Sequence, residues 1–381
     1  MSKVNAVLDR SFRAVARATG KALDSAQRAW REHLFYSTLG RAVAEAHQRC
    51  CAGYLPPPAA VESARNFLSR NFAGYSDLRW HELYWCVTGV MEATYIPDDI
   101  FNIRIEPALN AMRYIDVLTD KNGCYNLPVA PYLPEPVLHL VRGDLYLPGF
   151  LPAAESDLDR VLGASDEEFI VKPSTEHGGG RNVLSVDGPS AAAFLKELLR
   201  DKQSRKSANW LVQRRIVQCA ELANFNVTSV NCYRLLTMRI GDDIRKICSF
   251  LRIGGRGAKV DNFQSGGLAC GIDSGRLKGW GFDKKCIRHQ THPDSGIPIT
   301  GELPAYRDAV ELCQTLHRTL PWFDLISWDM AIDARHRPRL IEFNAQSQGI
   351  QSLQLTNGPL FGSEGSAPLS AMLRKMADAA R

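Results

Sequence analysis

Three side chains that could hold a metal ion fall within the segment 322–347. Asp329 lies late in one strand-like run, Glu342 lies in the next, and Asn344 follows two residues later. Side chains alternate between faces along a strand, so Glu342 and Asn344 point the same way, and a hairpin brings Asp329 beside them. Carboxylate and amide oxygens are the ligands that Mg²⁺ prefers when substrate phosphates also bind it. The segment therefore predicts a magnesium site, with a plain surface hairpin as the alternative.

A glycine-rich loop that could hold phosphates lies upstream, between strand-like runs at 169–171 and 182–186. Lys172 and Pro173 close the first run, and the loop then reads Ser-Thr-Glu-His-Gly-Gly-Gly-Arg. Glycines let backbone N–H groups approach an anion closely, and a lysine adds a point charge. The loop is not a Walker A loop, because no G-K-[ST] follows the glycines. It is not a dinucleotide-binding fingerprint either, because it lacks G-x-G-x-x-G and joins two strands instead of a strand and a helix. The candidate phosphate-binding residues are Lys172, Gly178, Gly179, Gly180 and Arg181.

The order of these motifs resembles that of the ATP-grasp superfamily. The shared features are a Lys-Pro strand end, a glycine-rich hairpin loop and a late Asp…Glu-x-Asn set. The segment 230–273 resembles the sugar-transfer-associated ATP-grasp family through its V-N-x-x-R, L-R-I-G, V-D-N-F and G-G patterns. The resemblance covers roughly residues 115–360. It implies an α+β ATP-grasp fold, in which two α+β lobes grip ATP, with ATP and Mg²⁺ as the cofactors.

The resemblance also implies roles for residues outside the metal set and the phosphate loop. Arg234 and Arg252, together with Lys172, would stabilise charge on the transferred phosphoryl group, although ion pairs within the sheet are the alternative. The implied nucleotide contacts are Lys121, Gln213, Arg214, Arg215 and Glu221, with the hinge at 213–215 offering backbone groups to adenine. A solvated turn is the alternative for Lys121, and a surface acid is the alternative for Glu221. The implied contacts with the acceptor or the carboxylate are Lys259, Asp261, Asn262, Gly266 and Gly267, and plain turn chemistry is their alternative. His292, which precedes Pro293 as in the family, is a candidate for the substrate site and for catalysis, and an exposed loop histidine is its alternative.

The composition is that of an ordinary globular protein, with 381 residues of which 45% are hydrophobic and 23% charged. No apolar run is long enough for a membrane span. Ten cysteines occur without a C-x-x-C pair or zinc-finger spacing. Because no export signal is visible near the start of the chain, the cysteines indicate reduced thiols and a cytoplasmic location.

The start of the chain is basic. Residues 1–50 contain nine Lys and Arg and four Asp and Glu. The difference of five equals the net charge of the whole chain, +5. Apolar residues from Val4 to Trp30 recur at helical spacing, which indicates an amphipathic helix. A helix packed on the protein body is favoured, and peripheral contact with an anionic membrane or a partner protein is the alternative. No recognisable nucleic-acid-binding motif occurs, so we expect no nucleic-acid partner.

The chain divides into three predicted regions. Residues 1–115 form a mainly helical N-terminal region, and residues 116–165 form a lead-in subdomain. The ATP-grasp domain occupies residues 166–381. It comprises a nucleotide-binding lobe at about 166–220 and a catalytic and metal lobe at about 221–381.

Local patterns predict the elements of this domain. A helix is expected at 190–202, a hairpin at 230–253 and a second helix at 304–320. The glycine-rich stretch 254–301 and the glutamine-rich stretch 346–362 are predicted to be loops.

The resemblance implies an ATP-dependent ligase that joins a small-molecule carboxylate to an amine, a thiol or another nucleophile. The γ-phosphoryl group moves to the carboxylate, the nucleophile attacks the acyl phosphate, and ADP and phosphate are released. The family's setting implies polysaccharide or amino-acid conjugate biosynthesis. A kinase that phosphorylates a hydroxyl and a non-catalytic nucleotide-binding module remain as alternatives. The residues identify neither the two substrates nor the oligomeric state.

Overall fold

The computed structural model describes residues 36–163, 167–175, 182–200, 208–258, 261, 263 and 266–379. Residues 36–50 are helical. The amphipathic pattern from Val4 to Trp30 lies outside the described residues. Among the helices that the structure does describe, none is both long and apolar enough to cross a membrane.

The described residues form an α+β structure with two antiparallel sheets. The strands are β1 (Pro136–Val141), β2 (Asp144–Leu147), β3 (Leu151–Ala153), β4 (Glu168–Pro173), β5 (Leu184–Asp187), β6 (Trp210–Arg214), β7 (Cys232–Ile240), β8 (Asp243–Ile253), β9 (Leu268–Asp273), β10 (Arg276–Phe282), β11 (Arg288–His289), β12 (Leu325–Ile332) and β13 (Pro338–Asn344). Besides residues 36–50, the α-helices are Pro58–Asn71, Arg79–Thr88, Asp98–Ile100, Glu106–Leu109, Ile115–Leu118, Ser156–Val161, Gly188–Arg200, Ala220–Ala223, Tyr306–Arg318, Ile350–Asn357 and Ala367–Ala379. Phe101–Ile105 is π-helical, and Met112–Tyr114, Gly123–Asn126 and Ala130–Tyr132 are 3₁₀ turns.

The first sheet has the strand order β3-β2-β1-β6-β4-β5. One face is apolar, because Leu138, Val171 and Val212 pack in a single cluster with residues of the helix Gly188–Arg200. The strands β1 to β3 come from the predicted lead-in subdomain. They join this sheet because β1 pairs with β6, so the boundary expected at residue 165 does not separate two sheets.

The second sheet has the strand order β11-β10-β9-β8-β7-β12-β13 and is covered on both faces. Alternation along β7 shows this directly. Leu235 packs with the helix Tyr306–Arg318, whereas Leu236 and Met238 pack with the N-terminal helices. A strand that is buried on both faces is apolar on both, so its sequence does not alternate between apolar and polar residues. In this sheet, the candidate site is the place where charged residues replace apolar ones on one face.

The loop predicted for residues 254–301 is wrong over β9 and β10. Glycines in these strands permit close packing instead of a turn. A Cβ on Gly271 would lie 3.1 Å from the carbonyl oxygen of Thr356, and a Cβ on Gly281 would lie 2.5 Å from the sulfur of Cys270. Glycine within a strand often marks such a close approach.

The loop predicted for residues 346–362 is also wrong, because it contains the helix Ile350–Asn357. Its polar residues suggested an exposed segment. The side chain of Gln354 is instead buried and bonds both backbone groups of Ile96, at 2.9 Å to the nitrogen and 2.7 Å to the oxygen. A glutamine side chain whose donors and acceptors are bonded can be buried in a packed helix. Glutamines in a sequence therefore do not by themselves indicate a surface loop.

Asn110 ties the N-terminal helical region to the second sheet. Its Nδ2 donates to the carbonyl oxygens of Leu325 and Ala345 at 2.8 and 2.7 Å. Its Oδ1 accepts from the backbone nitrogens of Asp324 and Leu325, both at 3.0 Å. The side chain is buried, and its hydrogen bonds to four backbone groups join the N-terminal helical region to the second sheet inside the protein.

We expect Asn110→Ala to lower the free energy of unfolding by about 3 kcal/mol, because buried backbone groups lose their partners. Urea unfolding followed by circular dichroism measures this loss. The control is Asn66→Ala on an exposed position of the helix Pro58–Asn71, which should change stability by no more than about 0.5 kcal/mol. Equal effects in the two variants would show that Asn110 does not join the two parts.

Candidate active site

The three predicted metal ligands lie together on the β12–β13 hairpin. Asp329 and Glu342 are direct cross-strand partners, and Asn344 pairs with Ser327, two residues from Asp329. Cross-strand partners share a face of the sheet and have Cβ atoms about 5 Å apart. The structure therefore gathers the three side chains as the sequence predicts.

Asp329 is 2% exposed, and both of its carboxylate oxygens are held by arginines. Arg234, its cross-strand partner on β7, donates from Nε at 2.5 Å and from Nη2 at 2.9 Å. Arg252 donates from Nη1 to Oδ2 at 3.0 Å. Oδ2 accepts two of these bonds, whereas Oδ1 accepts only one and keeps a further lone pair, so Oδ1 leaves room for a metal. Asp329 is the shared counter-ion of two arginines, and its role as a metal ligand stays a prediction.

Arg252 also connects Asp329 to the segment that follows β8. Its Nη2 lies 3.1 Å from Oδ1 of Asp261, and the thiol of Cys232 donates to Oδ2 of Asp261 at 2.7 Å. Burial alone would lower the pKa of Arg252, but the carboxylates of Asp261 and Asp329 outweigh burial and raise it. Burial raises the pKa of Asp261. Arg252 therefore carries its charge inside the protein.

Two lysines approach Glu342. The Nζ of Lys121 lies 3.7 Å from Oε2 of Glu342, and Lys172 is buried at the end of β4. Burial lowers the pKa of Lys172 to about 8, although the Glu342 carboxylate opposes this shift. Burial would raise the pKa of Glu342, but the positive charges of Lys121, Lys172, Arg234 and Arg252 outweigh it and lower the pKa. The predicted phosphate-binding lysines thus meet the predicted metal ligands.

Ser174 positions Lys121 and was missed by the sequence analysis. Its backbone oxygen accepts from the backbone nitrogen of Lys121 at 3.0 Å. Its hydroxyl donates to Oδ1 of Asp120 at 2.6 Å and accepts from the backbone nitrogen of Asn122 at 3.3 Å. The only signal in the sequence is that Ser174 follows the Lys-Pro strand end. Its contact with the Asp-Lys pair is made only by folding.

The first sheet presents its second face to this cluster. On β6, Leu211 pairs with Lys172 and Gln213 pairs with Ile170. Residues two apart share a face, so Gln213 and Lys172 point the same way, away from the apolar helix-covered face. Gln213 is buried, and its Oε1 has no hydrogen-bond partner among the described residues. A buried polar atom without a partner is costly unless a ligand satisfies it.

Arg214 and Arg215 form ion pairs with nearby carboxylates. Arg214 pairs with Glu135 and Glu167, and Arg215 pairs with Glu168 at 2.9 Å. These pairs direct both guanidinium groups to acids of the protein itself. The nucleotide contact predicted for these two residues, through backbone groups of the hinge, stays a prediction.

Glu221, the predicted ribose-side acid, is exposed and accepts from Nε2 of His336 at 2.9 Å. His336 belongs to the turn of the β12–β13 hairpin. The nucleotide contact of Glu221 also stays a prediction.

His292 supports a loop through both of its ring nitrogens. Its Nε2 lies 3.1 Å from the carbonyl oxygen of Gly254, and its Nδ1 lies 3.1 Å from the hydroxyl of Ser295. Burial lowers the pKa of His292, so the neutral ring donates to Gly254. With both nitrogens engaged, contact with a substrate stays a prediction.

The predicted acceptor loop is only partly described. Gly266 has a φ of +98°, a conformation that favours glycine, and Gly267 is buried beside it. The remaining predicted residues lie outside the described residues: Gly178, Gly179, Gly180, Arg181, Lys259 and Asn262.

Glu106 supports the segment that follows Asn344, and sequence patterns gave no signal for it. Its carboxylate accepts from the backbone nitrogens of Ser347 and Gln348, at 2.7 and 3.3 Å. The Gln348 side chain in turn accepts from the hydroxyl of Ser327 at 2.7 Å. The N-terminal helical region therefore positions the edge of the site.

The donor set fits Mg²⁺ and phosphates. Four cationic side chains meet three carboxylates, which leaves one excess positive charge when all are ionised. The cations are Lys121, Lys172, Arg234 and Arg252, and the carboxylates are Asp261, Asp329 and Glu342. Nδ2 of Asn344 is buried without a partner in the described part of the chain, so this amide has an unused polar end. Such a site is suited to an anion accompanied by a hard cation.

We expect the Lys172 amine to titrate near pH 8, and NMR of ¹³C-labelled lysine measures this directly. Glu342→Gln should lower the pKa further, because the opposing carboxylate is lost, and Lys121→Met should raise it, because a repelling charge is lost. Since the folded pKa lies below the ordinary 10.5, the folded state binds fewer protons between these values. This group's contribution to stability therefore rises with pH across that window.

The control for this titration is Glu302→Gln, which removes an exposed partner of Arg276 and should leave Lys172 unchanged. An ordinary lysine pKa at Lys172, or equal responses to the three substitutions, would contradict the arrangement.

Comparison with solved structures finds distant similarity. The biotin carboxylase domain of 2-oxoglutarate carboxylase from Hydrogenobacter thermophilus is 10% identical, with a TM-score of 0.43 over 71% of this chain and 48% of that chain. The N5-carboxyaminoimidazole synthase from Aspergillus clavatus is 10% identical, with a TM-score of 0.36 over 70% and 54%. The L-amino acid ligase from Bacillus licheniformis is 13% identical, with a TM-score of 0.36 over 70% and 49%. The chain spans about half the length of these structures.

The chain matches one family model, although no curated protein matches it. The model described as sugar-transfer associated ATP-grasp matches residues 100–364, which is more than half of the chain. This range includes both sheets and every described side chain of the charged cluster. The chain belongs to the sugar-transfer associated ATP-grasp family.

Proposed function

We propose that the protein is an ATP-dependent ligase that joins a carboxylate to an amine or another nucleophile through an acyl phosphate. The observation that carries this proposal is the charged cluster between the sheets. Lys172 comes from the first sheet, whereas Glu342 and the Asp329 network come from the second. Phosphoryl transfer needs mainly positioning and charge stabilisation, and this cluster offers both.

The phosphates are assigned to the cations of the cluster. Lys172 and Lys121 would neutralise the phosphate oxygens as point charges, and an anion near Lys172 would keep its amine protonated despite burial. Glu342 and Asn344, with Asp329 behind them, would hold Mg²⁺, which would supply further charge neutralisation to the phosphates. The rigid guanidinium groups of Arg234 and Arg252 are held by Asp329 and Asp261, so they need no reorganisation when charge develops.

The proposed ligase reaction has two chemical steps. A carboxylate oxygen of the substrate attacks the γ-phosphorus of ATP, and the bond to the β-phosphate oxygen breaks to release ADP. The nucleophile then attacks the acyl carbon, phosphate leaves, and an amine loses one proton. A thiol nucleophile follows the same sequence. The cations that stabilise the transferred phosphoryl group also favour the departure of phosphate.

The adenine ring is assigned to the face of the first sheet that carries Ile170 and Gln213. Ile170 offers apolar surface, and Oε1 of Gln213 can accept a hydrogen bond from the exocyclic amine of adenine. This contact would satisfy the buried oxygen that has no partner among the described residues. The assignment places the base and the phosphates along one face, because Gln213 and Lys172 share it.

The setting that fits this proposal is cytoplasmic, where ATP is abundant. All ten cysteines are free thiols, which supports a reducing environment. The family setting supports a substrate from polysaccharide or amino-acid conjugate biosynthesis.

The first test of this function is a hydroxylamine trap with Mg·ATP and a panel of amino acids and sugar acids. Hydroxylamine replaces the unknown nucleophile, so a hydroxamate with a matching amount of ADP identifies the carboxylate. Glu342→Gln should lower the rate at least about 100-fold, with the circular dichroism spectrum retained. A phosphorylated hydroxyl product would establish a kinase, and activity in Glu342→Gln equal to that of the exposed control Glu302→Gln would disprove the site.

A second test separates nucleotide binding from folding at Gln213. Gln213→Leu should weaken MgADP binding about tenfold or more, because it removes the acceptor for the adenine amine. It should also leave stability unchanged or raise it, because it removes a buried polar atom without a partner. Calorimetric titration and urea unfolding measure the two effects, with the exposed Gln290→Ala as control. Lower stability with normal affinity would instead give Gln213 a structural role.

A further inference from the structure

A second cluster of ligand-type side chains lies where the first sheet leads into the second. The sulfur of Cys219, a carboxylate oxygen of Glu221 and a ring nitrogen of His336 all lie within 4.8 Å of one another. The cluster combines a soft thiol, an imidazole and a carboxylate, whereas the metal ligands predicted near Glu342 are all oxygen atoms. The two clusters are therefore suited to different ions.

The backbone holds the two segments of this cluster side by side. The backbone nitrogen of Cys219 donates to the carbonyl oxygen of Ile332 at 2.9 Å, and that of Ala334 donates to the carbonyl oxygen of Val217 at 2.9 Å. Gln218 and Asp333 form an isolated β-bridge between these bonds. Because both segments are fixed, the three donor atoms meet without any rearrangement of the chain.

The hairpin turn presents His336 to Glu221. Oδ1 of Asp333 accepts from the backbone nitrogens of Arg335 and Arg337, at 2.9 and 3.0 Å. His336 itself adopts a φ of +57°, which is uncommon for a residue with a side chain. The turn fixes this conformation, and Nε2 of His336 then lies 2.9 Å from Oε1 of Glu221.

The charges of the cluster favour a cation. Burial raises the pKa of the Cys219 thiol, and the neighbouring Glu221 carboxylate raises it further. Backbone hydrogen bonding and His336 lower the pKa of Glu221. The carboxylate and the thiol lie side by side. A divalent ion bound between them would replace the thiol proton, since a coordinating thiol is deprotonated by the metal.

We propose that Cys219, Glu221 and His336 bind a divalent transition-metal ion of the zinc class. Thiolate, imidazole and carboxylate are all zinc ligands, and three protein ligands leave a fourth position for water. The sulfur ligand selects against Mg²⁺, which prefers oxygen. Such an ion would clip the segment that leaves β6 onto the turn of the β12–β13 hairpin. The proposal does not depend on the ligase chemistry, and it replaces the nucleotide contact predicted for Glu221.

Cobalt titration of the full-length, reduced and tag-free protein tests the site. Co²⁺ should bind with a sulfur-to-cobalt charge-transfer band and the visible spectrum of a tetrahedral ion, and Zn²⁺ should displace it. Cys219→Ser should abolish the charge-transfer band. His336→Gln, on an exposed turn where folding is not at risk, should weaken Co²⁺ binding at least about tenfold.

The matched control is Cys50→Ser, because the thiol of Cys50 lies near a separate group of cysteines, including Cys286. This variant should keep the full cobalt spectrum. The proposal is overturned if the wild-type protein shows no charge-transfer band. It is equally overturned if the band survives in Cys219→Ser or is lost in Cys50→Ser. The same holds if His336→Gln binds Co²⁺ as tightly as the wild-type protein does.

Discussion

The buried carboxylate of Asp329 is the interaction on which the rest of the site depends. It is 2% exposed, and an isolated charge in that position would cost several kcal/mol. Arg234 and Arg252 offset this cost by pairing with Asp329, and Asp261 then balances the charge of Arg252. Because β7, β8 and β12 each contribute one member, the network can form only when three neighbouring strands are in register.

This network explains how one sheet serves two purposes. On β7, the residues that share a face with Arg234 include Leu236 and Met238, which pack under the N-terminal helices. One end of the face is therefore apolar and covered, while the other is charged. The opposite face is continuous core. The N-terminal region is thus part of the scaffold, and Glu106 extends it to the edge of the site by binding the backbone after Asn344.

The sequence was most informative where local periodicity and chemistry agree. Alternation predicted that Glu342 and Asn344 share a face, and a hairpin with Asp329 followed from it. The ATP-grasp fold could be predicted because several motifs occur in the order of one family. The strands β9 and β10 were missed, because Gly271 and Gly281 look like turn residues when their packing partners are unknown. Contacts such as Ser174 with Asp120 join residues far apart in the chain, and no local pattern encodes them.

Charge balance connects the structure to the proposed chemistry. Arg234 and Arg252 stabilise the fold by pairing with Asp329, and under the proposed function the same rigid pairing would hold them ready for a developing negative charge. Lys172 differs, because its nearest carboxylate only partly offsets burial and its pKa falls to about 8. A phosphate would supply the missing negative charge. The charges of the arginines are therefore balanced by carboxylates of the protein, whereas that of Lys172 is balanced only in part. This is the pattern expected if a bound phosphate completes the charge balance at Lys172.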